Sequence, residues 1–176
     1  MTLATVPHMD ALAAYGPDEH VVVIGVGDLR VAQHPKYLMT PALGSCVGVA
    51  IWDPSTRRGG LAHVMLPAPV SPSVNPASGR FAAWAVPTLV GLMIDVGSSP
   101  LRLRAKIAGG ASMFRGGSTV ANVGERNLVE VRRQLEIAQI PLVAEDTGGS
   151  YARTVELHLD SGAFIVRSYR FGTREL

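Results

Sequence analysis

The chain has one cysteine, Cys46, in the run Thr40-Pro-Ala-Leu-Gly-Ser-Cys-Val-Gly-Val-Ala-Ile-Trp-Asp-Pro54. Seventeen positions on, His63 lies in Gly59-Gly-Leu-Ala-His-Val-Met-Leu-Pro67. A lone thiol makes no intramolecular disulfide, and one thiol with one imidazole is not an ordinary zinc site. What the pair can do is nucleophilic chemistry. The thiolate is the reactive form of cysteine, and an imidazole within reach can take the thiol proton and return it to a leaving amine. Thr40 is a candidate to orient that imidazole through its hydroxyl or its backbone carbonyl, since Pro41 keeps the chain extended around it. Gly44 and Ser45, just before the thiol, form a loop whose glycine permits a tight turn and whose amide N–H groups can face a developing oxyanion.

Plainer roles exist for each residue. Buried structural cysteines are common, and His63, flanked by Ala62 and Val64, suits a satisfied core histidine. Gly109-Gly110-Ala-Ser112 lacks the G-x-x-x-x-G-K-[ST] pattern of a phosphate loop and reads as a strand-to-turn junction near the pocket. Asp146-Thr147-Gly148-Gly149 reads the same way. No local motif brings three metal ligands together, so neither a metal nor a cofactor is expected.

Periodicity and turn signals give the scaffold around these residues. Val21–Val26 is a β-branched run, and Leu29–His34 alternates and is expected to pair beside it until Pro35 stops it. Val47–Trp52 and Leu61–Met65 form an antiparallel hairpin around Asp53-Pro54 and Gly59-Gly60, with Cys46 entering the first strand and His63 inside the second. Four prolines make 66–79 a long irregular loop. Phe81–Met93 is helical, with Pro87 expected to kink it or delay its start. Leu101–Ala108 is a strand. Asn122 and Glu125 fit a capping box for a helix whose Leu128, Val131, Leu135 and Ala138 share one face. Strands are expected over 142–145, 152–159 and 163–169. Strands outnumber helices, so the expectation is an α+β fold: a single domain over 21–176 after a loosely ordered extension, residues 1–20, with mixed, mostly antiparallel β-sheets packed against helices.

Composition narrows the function class. The 176 residues are 47% hydrophobic and 17% charged, with a formal charge of +2, which suits a buried core rather than disorder. The basic residues are scattered, a poor footprint for nucleic acid. The most apolar stretch, 81–96, is interrupted by Pro87 and Gly91 and is short for a membrane span. The first twenty residues lack the features of a secretory signal, so a cytoplasmic location is the default expectation.

Leu43-Gly-Ser-Cys46-Val, Ala62-His-Val-Met-Leu-Pro67, Lys106-Ile-Ala-Gly-Gly-Ala-Ser-Met-Phe114, Gly124 with Arg126-Asn127, and Ala144-Glu-Asp-Thr-Gly-Gly149 followed by Arg153 occur in that order. Together they resemble the chemoreceptor glutamine deamidase family of bacterial chemotaxis, CheD. The resemblance implies a hydrolase that converts glutamines of methyl-accepting chemoreceptors to glutamate, with release of ammonia. It assigns Cys46 as nucleophile, His63 as base and Thr40 as the third catalytic residue, and it implies a thioester intermediate. It also implies a fold like the catalytic domain of cytotoxic necrotizing factor, a CheC-type phosphatase as partner, and a methylesterase activity in some members. The chain departs from the family pattern at Pro41-Ala42, where leucine-glycine is usual, at Ala83, where an aspartate is frequent, and at Pro87. A non-catalytic module that binds a chemotaxis phosphatase or receptor, and a cysteine hydrolase redirected to another amide, are the alternatives.

Overall fold

In a computed structural model, residues 20–69, 79–113 and 122–176 are described. The expected extension up to residue 19 and positions 70–78 of the proline-rich loop lie outside them. Along the chain run β1 (Val21–Val23), β2 (Leu29–Gln33), β3 (Tyr37–Leu43), β4 (Val47–Asp53), β5 (Arg58–Val64), α1 (Ala82–Asp95), a 3-10 turn (Pro100–Arg102) and β6 (Arg104–Gly109). Then come α2 (Val123–Ile137), β7 (Leu142–Thr147), β8 (Arg153–His158), β9 (Phe164–Ser168) and β10 (Gly172–Glu175).

The strands form two five-stranded sheets, ordered β1-β3-β8-β9-β10 and β2-β5-β4-β6-β7. Only β1–β3 and β6–β7 pair in parallel among them. This is the expected α+β class with mostly antiparallel sheets. Strict alternation on β4 and β5 sends side chains to two different cores. Val49, Ile51, Ala62 and Val64 pack against Ala85, Leu89 and Met93 of α1 and Leu128, Val131 and Leu135 of α2. Ala50 and Leu61 point the other way and pack with Leu38, Leu43, Val155, Leu157 and Phe164 of the first sheet. The layers therefore run sheet, sheet, helices.

Three local expectations are corrected. β2 does not pair with β1; it pairs antiparallel with β5 in the other sheet, while β1 lies beside β3. The link between them turns at Gly27, with φ of 77°, and carries the chain across to the second layer. Pro87 does not delay the start of α1, which begins at Ala82 and continues through it. Asn122 does occupy the N-cap of α2, but its side chain makes no capping bond. Its φ of −102° and ψ of 8° depart from the extended geometry that aims a cap inward.

Candidate active site

The inter-sheet layer is where the chemically active residues meet. In the β4–β5 ladder Gly48 is the register partner of His63, so both face the first sheet, away from the helices. Cys46 sits two positions before Gly48, at the mouth of β4. It packs against the same inter-sheet core, which places it diagonal to His63 on one face of the strand pair. A Cβ on residue 48 would stand 2.8 Å from Leu43 Cδ1, so the position facing His63 is kept free of side chain.

Thr40 enters this layer from the opposite sheet. It is fully buried on β3. Its Oγ1 donates to the Ile24 carbonyl at 2.7 Å and lies 2.7 Å from His63 Nδ1. A hydroxyl has one proton, and a carbonyl can only accept. The proton therefore goes to Ile24, and Nδ1–H of His63 donates to the threonine oxygen. That fixes the tautomer: Nε2 carries the lone pair. Nε2 has no hydrogen-bond partner, so thiol and imidazole are neighbours in the ladder without a bond between them. Such contacts are often long before substrate binds. Of the two options left open for Thr40, the side chain makes the contact.

Just past Thr40 the β3–β8 register slips: Thr40 pairs with Val155 but Leu43 with Arg153. The bulge falls on Pro41 and Ala42, both exposed, and Ala42 takes φ of 60°. Bulges beside sites redirect the residues after them. Here the strand leaves Thr40 pointing inward and releases Gly44-Ser45-Cys46 as a loop. The positive φ falls on a non-glycine residue, yet the Thr40–His63 bond is intact.

Every carbonyl of that loop is held. Gly44 O accepts from Ala111 N–H at 2.8 Å and Cys46 O from Gly110 N–H at 2.8 Å. Ser45 O accepts from Asn127 Nδ2 at 3.0 Å. In a trans peptide the N–H points opposite to the preceding carbonyl. The Ser45 and Cys46 amides thus point away from these supports, and neither finds an acceptor among the described residues. The Gly109-Gly110 junction is the floor of the loop. Gly109 has φ of 108°, and a Cβ there would lie 2.2 Å from Cys46 O. Gly148 N–H donates to Gly109 O at 2.9 Å, and Ser112 N–H donates to Gly149 O at 2.8 Å. Arg153, almost wholly buried, bonds Asp146 at 2.9 Å through Nε and so ties β8 to β7 across the two sheets.

Burial sets the charges. It pushes the Cys46 thiol above its ordinary 9.0 and the His63 imidazole below its ordinary 6.5, so both are neutral at pH 7. The arrangement is a neutral thiol beside a neutral imidazole, with two backbone donors pointing away from the loop's supports. It is equipped for general-base-assisted attack on a carbonyl. Among the described residues no cluster of three or more His, Cys, Asp or Glu is placed to hold a metal, and no helix is long and apolar enough to cross a membrane. Asn127 has no role assigned to it by residue type. Its signals in the sequence are its place in the Gly124, Arg126-Asn127 block and a polar residue on the otherwise apolar face of α2.

The comparisons with known proteins define the class of protein. The family model for CheD chemotactic sensory transduction matches residues 65–168, and the chain belongs to the CheD family. Relatives include the Probable chemoreceptor glutamine deamidase CheD 2 of Geobacter metallireducens, 44% identical over 89% of this chain and 98% of that protein. The chemoreceptor glutamine deamidase CheD of Bacillus subtilis is 35% identical over 89% of this chain and 96% of its own length. That of Thermotoga maritima is 45% identical over 82% of this chain and 90% of its own. Matches of 145 residues or more in a chain of 176 necessarily span Thr40 to His63, although the family model's match begins at Met65. Among solved structures, the hypothetical protein YfiH of Bacillus licheniformis aligns with a TM-score of 0.44 at 18% identity, over 68% of this chain and 50% of that one.

Proposed function

We propose that this protein is a cysteine-dependent chemoreceptor glutamine deamidase. The observation that carries the reading is the Thr40–His63 hydrogen bond, which leaves Nε2 unpaired on the face that also bears Cys46. A core histidine kept only for packing would have both nitrogens satisfied.

The chemistry follows from the tautomer. As Cys46 Sγ attacks the glutamine carboxamide carbon, His63 Nε2 takes the thiol proton. Thr40 receives the Nδ1–H bond and steadies the imidazolium. The oxyanion is met by the Ser45 and Cys46 N–H groups. Collapse breaks the C–N bond, His63 gives its proton to the amine, and ammonia leaves a thioester. Water, deprotonated by His63, attacks the thioester carbon, and the sulfur leaves as the thiol with that proton. The net reaction is carboxamide plus water to carboxylic acid plus ammonia. At neutral pH the product carries a negative charge that the substrate lacked.

The substrates in this reading are glutamines on the signalling helices of methyl-accepting chemoreceptors, which place the protein in the cytoplasm. A CheC-type phosphatase is its regulatory partner. Incubation with a purified receptor fragment should release ammonia and raise the mass by about one dalton at defined glutamines, one amide exchanged for one acid. Cys46→Ala should abolish both. Undiminished turnover by that variant would remove Cys46 from the mechanism. A folded wild-type protein that binds receptor without turnover would favour the non-catalytic alternative.

A further inference from the structure

Asn127 lies on the buried face of α2 with Gly124, Leu128, Val131 and Leu135 and is fully buried. Its Nδ2 donates to two carbonyls, Ser45 O at 3.0 Å and Met65 O at 2.8 Å. Because both partners can only accept, the amide nitrogen is the end that faces them. Its Oδ1 is buried with no partner, and leaving an acceptor in that condition carries a desolvation cost. An apolar side chain at this helix position would avoid that cost. What the amide gains in return is two bonds, and both go to segments that carry reacting groups.

Ser45 immediately precedes the thiol, and Met65 lies two residues after His63. The β4–β5 register, with Val47 opposite Val64, sets Cys46 opposite Met65 when extended by one pair. Asn127 therefore bridges the two strand ends where the hairpin ladder stops, and no strand hydrogen bond continues beyond Val47 and Val64 to do so. The bond to Ser45 O also orients the peptide plane that contains the Cys46 N–H. Gly124, one turn earlier, lets the helix come this close: a Cβ there would lie 2.6 Å from Gly110 O.

We infer that Asn127 is a positioning residue of the site, a clamp that sets the separation of Cys46 Sγ from His63 Nε2 and the direction of the Cys46 N–H. It touches neither reacting atom and acts through the two carbonyls. This rests on Cys46 being the nucleophile, and Cys46→Ala tests that assignment separately.

The test is Asn127→Asp, which keeps the shape and removes the donor pair. Deamidation of a receptor fragment should lose about 10- to 100-fold in kcat, with KM within about twofold. Alkylation of Cys46 by iodoacetamide should change in its pH dependence, a readout that needs no substrate. Val131→Ala, a buried α2 residue outside the clamp, should lower thermal stability while leaving kcat and the alkylation profile per folded molecule as in wild type. Asn127→Asp behaving like Val131→Ala would overturn the inference. Should Asn127→Asp fail to fold, Asn127→Ser serves with the same two outcomes. The unmutated protein gives a third reading by NMR: alkylating Cys46 should shift the Asn127 side-chain amide resonances, and unmoved resonances would count against the clamp.

Discussion

The thiol and the imidazole sit on adjacent strands, yet they are held in different ways. His63 is fixed by its own ring: Nδ1 bonds Thr40, and Thr40 bonds Ile24, inside a fully buried layer between two sheets. Cys46 is fixed only through its backbone. Its loop is pinned by carbonyls reaching Ala111, Gly110 and Asn127, and it is only partly buried. The imidazole therefore has a set orientation and tautomer, whereas the thiol, the nucleophile in the proposed mechanism, has a set place with its side chain left able to move. A covalent mechanism needs that asymmetry, because the sulfur travels to the substrate carbon and back while the imidazole exchanges protons in place.

The largest blow to the thiol's side of this comparison is Gly109→Ala. A Cβ would stand 2.2 Å from Cys46 O on a residue at φ of 108°. A loss of about 3 kcal/mol in unfolding free energy is expected, with activity falling further than the folded fraction. An alanine at 109 with wild-type kcat would mean that the loop floor does not place the nucleophile. On the imidazole's side, Thr40→Val keeps volume and β-branching but removes the acceptor for Nδ1–H. A fall of about a hundredfold in kcat is expected, with Thr40→Ser largely restoring it, while Cys46 alkylation in the absence of substrate stays near wild type. If Thr40→Val disturbed alkylation as much as Gly109→Ala does, the two supports would not be separate.

Titration sharpens the contrast. Burial lowers the His63 pKa from 6.5 and raises that of Cys46 from 9.0, so Cys46 alkylation should keep climbing with pH through neutrality and reach its midpoint on the alkaline side of 9.0, without a plateau near neutrality. Activity, which needs neutral His63, should persist below pH 6.5 before its acid limb. Linkage gives opposite signs for stability. As pH falls below 6.5 the unfolded chain takes the histidine proton first, so the contribution of His63 is present above 6.5 and lost toward the lower folded value. As pH rises past 9.0 the unfolded chain loses the thiol proton first, so the Cys46 contribution is present below 9.0 and lost above it. Denaturant midpoints of wild type and Cys46→Ala should diverge with pH only in the alkaline range. The smallest effect belongs to Ala42→Gly. Relieving φ of 60° at the bulge should stabilise by up to about 1 kcal/mol, since the left-handed conformation costs a non-glycine residue about 1–2 kcal/mol and glycine gives part of that back in chain entropy. No change in kcat is expected.

Chemistry was more legible than topology. Residue type marks Cys46, His63, Thr40 and the Gly44-Ser45 loop as candidates, and the β4–β5 hairpin announces itself by its apolar runs and turn residues. β3 did not, because Pro41 and the bulge break its alternation after Thr40. The placement of β2 in the second sheet depends on one glycine turn, and local pattern does not report which sheet a strand joins. Pro87 reads as a breaker in isolation, yet α1 continues through it with Ala85, Val86, Leu89 and Met93 buried, where packing outweighs the lost bond. Asn127 was hidden for another reason: its partners, the carbonyls of Ser45 and Met65, have no side-chain signature.

Everything in the mechanism turns on Cys46 carrying the acyl group. The direct test is to run the reaction on a receptor fragment with hydroxylamine present, which intercepts a thioester as the hydroxamate, and to map the products by mass spectrometry. Hydroxamate is expected at the same glutamines that become glutamate, in a ratio that rises with hydroxylamine, and none from Cys46→Ala. Continued ammonia release with no hydroxamate at any concentration, or hydroxamate formed equally by Cys46→Ala, would contradict an acyl-cysteine intermediate.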